Sequence, residues 1–323
     1  MGKKKRVWDN EISDVYSVTL GGIEQKILVE GKRRELPIVI TLHGGPGTPI
    51  PFSVGCRGLF PVFTERFIMI YWDQLGCGIN DYEIKDLFTI DSYVDMTVDL
   101  VNFAKKKFPD NPIYLFGMSW GSVLALKTVC RMQTSITGVV TWGQVTKQLF
   151  FNQEVFDALE AAGLSEKKMK KIKSIDPKAF TPKEMQFFTG CIRKYTNGYE
   201  NKNGKKTPAS KIMFGIMKSP DYSMRDFKAM IINGCAKSTK LWTELLQINL
   251  QPLLCEVKIP YYILQGDTDI VTSTLLLKEI VDESNNPYVR YQIVENSGHI
   301  PGVEGMEAIL EALIEITNGD RDA

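Results

Sequence analysis

The sequence predicts an α/β protein in which helices flank a mostly parallel central sheet, with a helical cap inserted before the last two strands. Between residues 37 and 142, apolar runs that suit buried strands alternate with helical patterns. Strands that alternate with helices pair in parallel through right-handed crossovers. Residues 145–255 show helical, basic and strand-poor patterns, and strand patterns return only afterwards. We therefore expect residues 1–144 and 256–323 to form the core, and residues 145–255 to form a cap over the carboxyl edge of the sheet.

Each predicted element follows from a local pattern. Gly21 and Gly22 lie between two strand-like segments, 15–20 and 23–29, and this arrangement indicates a hairpin. Continuous apolar runs indicate strands that are buried on both faces. The further strands are expected at residues 37–42, 67–72, 113–116, 136–142, 259–264 and 289–294. Helices are expected at residues 90–108, 123–129, 273–282 and 305–317.

Composition excludes several classes of protein. The chain has 323 residues, of which 44% are hydrophobic and 24% are charged, as in an ordinary globular protein. Its net charge of +1 gives no field that would attract nucleic acid. No apolar run approaches the roughly 20 residues that a membrane helix needs. Six scattered cysteines and a basic start with no apolar segment after it predict reduced thiols in a cytoplasmic protein.

The segment PIYLFGMSWGS, residues 112–122, carries the strongest chemical signal. A strand-like run changes into a helix-like run at Ser119, with Gly117 and Gly121 two residues to either side. So sharp a turn strains the backbone of the serine, and the flanking residues need to lack β-carbons. The pattern G-x-S-x-G in this context predicts a nucleophile elbow, which holds a hydroxyl above the sheet. The alternative is a glycine-rich turn with an ordinary serine.

A serine becomes a nucleophile when an imidazole takes its proton and a carboxylate orients that imidazole. The chain has only two histidines, so a histidine-rich metal site is excluded, and we expect neither a metal nor a cofactor. His299 follows the last strand, and the chain order Ser119, Asp, His299 is the one found in proteins that carry a nucleophile elbow. Asp267 and Asp269 both follow the strand at 259–264. We favour Asp269 as the acid, because it lies further round the turn, and expect Asp267 to bond backbone N–H groups.

Acyl transfer also needs donors for an oxyanion. The elbow fixes the backbone N–H of Trp120 as one donor. The glycine loop after His43 offers a second, for which we favour the N–H of Gly45, because Pro46 has none. We expect His43 to support this loop rather than act as a base. The alternative is that the loop is a tight turn and nothing more.

Five segments together carry a resemblance to a known family. They are HGGPG at 43–47, YWDQLGCG at 71–78, GMSWGSVLAL at 117–126, GDTD at 266–269 and SGH at 297–299. The chain resembles the α/β-hydrolase fold and, within it, the proline iminopeptidase group. The resemblance implies that Ser119, Asp269 and His299 are catalytic, with oxyanion donors at Gly45 and Trp120.

Two positions depart from that group, because Leu75 and Ile79 stand where it usually has arginine. Its proline-specific members hold the substrate's free amine with acidic residues of the cap. In this chain Trp242 and Glu244 pair an aromatic ring with a carboxylate in the predicted cap, and they are our candidates for binding such an amine. The alternative for this pair is ordinary packing beside a solvated acid.

Three functions follow from these observations. The first is a serine hydrolase that acts on an amide or small peptide, as an aminopeptidase does. The second is an esterase that cleaves a small ester or lactone with the same residues. The third is an inactive hydrolase fold that binds a small molecule or a partner. Dehalogenases and epoxide hydrolases are disfavoured, because they place aspartate where this chain has Ser119.

Overall fold

A computed structural model describes residues 10–84, 87–205, 209–232 and 238–319. Within these residues the chain forms an eight-stranded sheet with the strand order β1-β2-β4-β3-β5-β6-β7-β8. The strands are β1 Ile12–Leu20, β2 Ile23–Gly31, β3 Ile38–Leu42, β4 Ile68–Trp72, β5 Ile113–Met118, β6 Gly138–Trp142, β7 Tyr261–Gly266 and β8 Val289–Val294. The pairs β1–β2 and β2–β4 are antiparallel and all others are parallel. The prediction of a mostly parallel sheet is confirmed.

Helices lie between and beside these strands. They are α1 Pro61–Thr64, α2 Ile90–Lys107, α3 Trp120–Met132, α4 Gln153–Ala161, α5 Glu166–Lys173, α6 Pro182–Tyr195, α7 Ala209–Met217, α8 Met224–Ile232, α9 Thr239–Leu246, α10 Gln251–Glu256, α11 Thr274–Ser284 and α12 Val303–Gly319. The side chains of β3, β4, β5 and β6 are buried along their whole length. Burial on both faces explains why these strands read as continuous apolar runs in the sequence.

Strand boundaries differ from the predicted ones by at most three residues, and two of the differences have an explanation in the backbone. β1 begins at Ile12 because it pairs with β2 along its full length, with Ile12 opposite Gly31. β7 begins at Tyr261 rather than at residue 259. Pro260 directly precedes it and has no N–H to donate to a neighbouring strand, although its carbonyl accepts from Val139.

The register of the parallel strands brings their carboxyl ends to one edge of the sheet. Leu42, the last residue of β3, lies opposite Trp72 of β4 and Gly117 of β5. The segments that follow these strands therefore emerge side by side. Open parallel sheets place their functional sites at this edge, and His43 and Ser119 lie there.

Helices α4 to α10 form the segment between β6 and β7, which we call the helical insertion, and it contacts the loops at this edge. The Arg57 guanidinium makes two hydrogen bonds to the Asp221 carboxylate, at 2.9 and 3.0 Å. The Tyr222 hydroxyl donates to the buried carboxylate of Asp73, which directly follows β4. These contacts hold the loop between α7 and α8 against the core.

Candidate active site

Ser119 lies at the sharp turn between β5 and α3. Its φ of 50° and ψ of −116° form a strained combination for a residue with a side chain. Its N–H donates to the Trp142 carbonyl at 2.8 Å. A β-carbon on Gly121 would lie 1.8 Å from the Leu42 oxygen, and one on Gly117 would lie 2.6 Å from the Gly121 oxygen. Glycine at both positions is therefore what allows the helix to begin directly on the sheet.

The hydroxyl of Ser119, the imidazole of His299 and the carboxylate of Asp269 form a row. His299 Nε2 lies 2.8 Å from Ser119 Oγ, and His299 Nδ1 lies 2.8 Å from Asp269 Oδ2. Because a carboxylate oxygen accepts, Nδ1 carries the proton, and Nε2 is free to accept from the serine hydroxyl. Ser119 and His299 are each only 6% exposed and Asp269 is fully buried. Three residues that lie far apart in the chain thus form the arrangement that activates a serine.

The Asp269 carboxylate is held by its own turn. Its Oδ1 accepts from the N–H groups of Val271 and Thr272, at 2.8 and 3.1 Å. Its Oδ2 accepts from the Thr272 hydroxyl at 2.7 Å and from the Gln265 amide at 3.1 Å, in addition to His299. These donors fix the carboxylate in the orientation that faces the imidazole.

Asp267 has a different position. Its carboxylate accepts from the N–H groups of Asn296 and Ser297, at 3.1 and 2.9 Å. These two residues belong to the loop that carries His299. Of the two aspartates that the sequence offered, Asp269 bonds the imidazole and Asp267 holds the loop.

His43 supports the glycine loop beside Ser119. Its Nε2 accepts from the N–H of Gln74 at 3.0 Å, so its Nδ1 carries the proton and donates to the Gly44 carbonyl at 2.8 Å. Burial lowers the pKa of His43 from 6.5 to about 4, so the ring stays neutral. A β-carbon on Gly44 would lie 3.6 Å from that of Ser119. The loop therefore runs directly past the serine.

The Trp120 N–H is a possible oxyanion donor at the start of α3, and a donor role for the Gly45 N–H stays a prediction. Trp120 is the first residue of α3, and an N–H at this position has no intrahelical acceptor. The Trp120 indole donates to Gln74 Oε1 at 2.7 Å, which joins the elbow to the segment that also bonds His43. Gly45 has a φ of +123°, which favours glycine and turns the loop tightly after Gly44.

The structure does not bring Glu244 to Ser119. The Glu244 carboxylate accepts from the N–H of Ile90 at 2.8 Å, at the start of α2. The cavity beside it, of about 470 Å³, is lined by Thr89, Ile90, Asp91, Lys127, Thr243, Glu244, Gln247 and Ile248. None of these residues contributes to the row of Ser119, His299 and Asp269. The prediction that Glu244 meets a substrate amine is therefore not supported, because this carboxylate is engaged at a helix terminus.

Trp242 belongs to a row of aromatic rings that leads to His299. Its ring centroid is 6.2 Å from that of Phe150, which is 6.2 Å from that of Tyr199. The Tyr199 ring in turn lies 5.9 Å from the imidazole of His299. Phe150 and Tyr199 therefore connect Trp242 to His299.

Sequence reasoning missed two residues that contact the site. The Trp142 indole donates to the His299 carbonyl at 2.9 Å, and the Trp142 carbonyl accepts from Ser119. Thr272 bonds Asp269 from three residues downstream, a spacing that is typical of turns and could have indicated it. Trp142 is the last residue of a predicted strand beside β5. This position at a strand end is the sequence signal that could have identified it.

Comparison with known proteins gives the family. Residues 37–305 match the family model described as the alpha/beta hydrolase fold, so the chain belongs to that family. A probable aminopeptidase of Bacillus subtilis, YbaC, is 24% identical over 304 residues, which are 91% of this chain and 92% of that protein. A proline iminopeptidase of Clostridium botulinum is 25% identical over 300 residues, 89% of this chain and 92% of that protein. The crystal structure of VinJ superposes with a TM-score of 0.66 at 20% identity, covering 95% of this chain and 98% of that chain.

Membrane-spanning helices and metal-binding clusters can also be assessed from the structure. Among the described residues no helix combines the length and apolar character needed to cross a membrane. The same residues contain no group of three or more acidic, histidine or cysteine side chains that could hold a metal ion.

We predict that Gly121→Ala disrupts the elbow. The new β-carbon would lie 1.8 Å from the Leu42 oxygen, and the backbone of a central strand cannot move aside. The free energy of unfolding should fall by more than about 3 kcal/mol. Gly190→Ala is the control, because Gly190 lies in α6 with no atom within 4 Å of the new carbon. It should stabilise the protein by about 0.5–1 kcal/mol. Denaturant titration measures both, and a Gly121→Ala protein as stable as the wild type would contradict the close contact.

We predict that His43 stays neutral when an ordinary histidine is protonated. With a pKa lowered from 6.5 to about 4, the folded state resists protonation more than the unfolded chain does. Its contribution of about 3 kcal/mol to the free energy of unfolding is thus complete above pH 6.5 and is lost as the pH falls through about 4. In His299→Gln the other histidine is gone, so ¹⁵N NMR observes His43 alone. Its nitrogen shifts should remain those of the neutral Nδ1–H tautomer at pH 5.5, and a midpoint near pH 6.5 would contradict its burial.

Proposed function

We propose that the protein is a serine hydrolase that cleaves an amide bond or a small peptide through an acyl-enzyme intermediate. One observation carries the proposal, namely the row of two 2.8 Å contacts from Ser119 Oγ through His299 to Asp269. This geometry is the one in which a serine hydroxyl loses its proton as it attacks a carbonyl carbon.

The reaction would proceed in two halves. Ser119 Oγ attacks the carbonyl carbon while its proton moves to His299 Nε2, and Asp269 stabilises the resulting imidazolium. The N–H groups of Trp120 and Gly45 donate to the oxygen that becomes negatively charged. The bond to the leaving amine then breaks as His299 returns the proton to it. A water molecule then gives a proton to His299 Nε2 as it attacks the acyl carbon. The bond to Ser119 Oγ breaks as His299 returns the proton to that oxygen, which releases the acid and restores Ser119.

The substrate is proposed to be small. Ser119 and His299 are each 6% exposed, so a large folded protein has little access to the hydroxyl. The similarity to a probable aminopeptidase and to a proline iminopeptidase supports an amide or short peptide. The described cysteines form no disulfide, which supports a cytoplasmic location; they are Cys56, Cys77, Cys130, Cys191 and Cys255.

Hydrolysis of a small ester or lactone is the second candidate. The observation that favours it is the position of Glu244, whose carboxylate bonds the N–H of Ile90 and lines a cavity to which Ser119, His299 and Asp269 do not contribute. An ester leaves as an alcohol and places weaker demands on acid catalysis by His299 than an amine does. The same row of side chains would serve both substrates.

We predict that the two aspartates differ in their effect on catalysis. Asp269→Asn should lower kcat by about 10³–10⁴-fold, because an amide no longer holds His299 in the required tautomer. Asp267→Asn keeps one acceptor oxygen for the N–H groups of Asn296 and Ser297, so it should cost less than about tenfold. Circular dichroism checks that both variants fold. Equal losses in the two variants would contradict the assignment of Asp269.

We predict that a fluorophosphonate modifies Ser119 and that Ser119→Ala abolishes the labelling. Absence of labelling in the wild-type protein would favour an inactive fold used for binding. Proline and alanine arylamides compared with p-nitrophenyl esters then separate the two activities. The amide proposal expects turnover of an arylamide, and ester cleavage without arylamide turnover would replace it with the second candidate.

A further inference from the structure

The helical insertion contributes a segment, residues 197–199, that runs beside the loop carrying His299. The N–H of His299 donates to the Gly198 carbonyl at 2.9 Å, and the N–H of Ile300 donates to the Tyr199 carbonyl at 2.8 Å. Two consecutive backbone bonds therefore join the insertion to the residue that would carry the proton. The side chain of His299 is held by the core, whereas its N–H is held by the insertion.

The same segment also contacts the loop of Asp269. The Thr268 hydroxyl donates to the Asn197 carbonyl at 3.1 Å. A β-carbon on Gly198 would lie 2.4 Å from Ile270 Cγ1, and one on Gly298 would lie 2.9 Å from the Asn197 oxygen. The segment is thus packed tightly against both loops, with glycines where the two backbones approach.

The ring of Tyr199 completes this contact on the imidazole itself. It lies at 88° to the His299 ring, with 5.9 Å between centroids, in an edge-to-face arrangement. The Arg193 guanidinium lies 4.8 Å from the Tyr199 centroid and Phe150 lies 6.2 Å from it, so the ring is itself confined. Burial raises the pKa of the Tyr199 phenol above its ordinary value and outweighs the Arg193 guanidinium, which lowers it, while the charge of Asp269 raises it further. An uncharged flat ring therefore stands beside His299.

Such a ring restricts the imidazole while Ser119 attacks as well as after Ser119 is acylated. In the acylated state Ser119 Oγ has no proton to donate, and the imidazole keeps only its Nδ1 contacts, with the Asp269 carboxylate at 2.8 Å and the Thr272 hydroxyl at 3.4 Å. Rotation of the imidazole about its Cβ–Cγ bond would move Nε2 away from the incoming water. A displacement of about 1 Å in such a group can cost roughly 100-fold in rate.

We propose that Tyr199 is a positioning residue that keeps the His299 imidazole aligned with Ser119 and Asp269. Tyr199 touches neither the serine oxygen nor, in this proposal, the substrate carbonyl, and it acts through His299. The inference rests on the proposed function for its consequence in catalysis. Its structural part, the alignment of the ring, can be measured separately.

The experiment compares three variants. Tyr199→Ala removes the ring, Tyr199→Phe keeps it, and Tyr195→Ala is the matched control. Tyr195 ends α6 of the same insertion and is half-buried, but its ring lies against Lys168 and Lys194 instead of His299. The first readout is the rate constant for modification of Ser119 by a small fluorophosphonate, which does not depend on amide or ester specificity. The second is the downfield ¹H NMR signal of the His299 Nδ1–H, assigned by its loss in His299→Gln.

Tyr199→Ala should lower the labelling rate by about 10–100-fold and broaden the Nδ1–H signal, whereas Tyr199→Phe and Tyr195→Ala should match the wild type in both. If Tyr199→Ala does not fold, Tyr199→Leu, which keeps apolar bulk but not the flat ring, takes its place with the same expectation. Equal labelling rates and signals for Tyr199→Ala and Tyr195→Ala would overturn the proposal. If the wild-type protein is not labelled at all, the proposed function fails, and the Nδ1–H signal alone then decides whether Tyr199 aligns His299.

Discussion

The geometry of the site depends on one imidazole, that of His299, which three remote parts of the chain hold in place. His299 faces Ser119, which precedes it by 180 residues, and Asp269, which precedes it by 30. The helical insertion supplies the third contact, through the Gly198 carbonyl and the ring of Tyr199. Each of these contacts forms only when the helices and strands on its two sides are correctly aligned. The elbow needs α3 to begin against β3, which Gly121 permits by leaving no β-carbon near the Leu42 oxygen. The geometry of the site therefore depends on the same contacts that hold the sheet and its helices together.

Much of this arrangement could be predicted from the sequence, because it follows from short-range rules. Buried parallel strands have an unmistakable apolar pattern, and the residues that follow them meet at one edge of the sheet. Ser119 directly follows β5, Asp269 lies three residues after β7, and His299 lies five residues after β8. The sequence favours Asp269 over Asp267 through its distance along the turn and through the resemblance to the proline iminopeptidase group. The structure separates them by their partners, which are backbone N–H groups for Asp267 and the imidazole for Asp269.

The contacts of the helical insertion could not be predicted in the same way. Its helices are short and amphipathic, and their pattern shows which face is buried but not what it is buried against. Glu244 beside Trp242 suggested a site for an amine, but the carboxylate bonds the first turn of α2 because α9 packs there. Tyr199 stands in a loop without any local signal, although its ring meets His299. These positions depend on long-range packing that periodicity does not contain.

The central claim is that Ser119, His299 and Asp269 act with the N–H groups of Trp120 and Gly45 on one carbonyl group. The most direct measurement is the crystal structure of the protein after reaction with a fluorophosphonate, whose tetrahedral phosphorus mimics the attacked carbon. We expect phosphorus bonded to Ser119 Oγ and its free oxygen about 2.7–3.1 Å from both N–H groups, with His299 still bonded to Asp269. Phosphorus on another residue, or an oxygen directed away from both donors, would contradict the account.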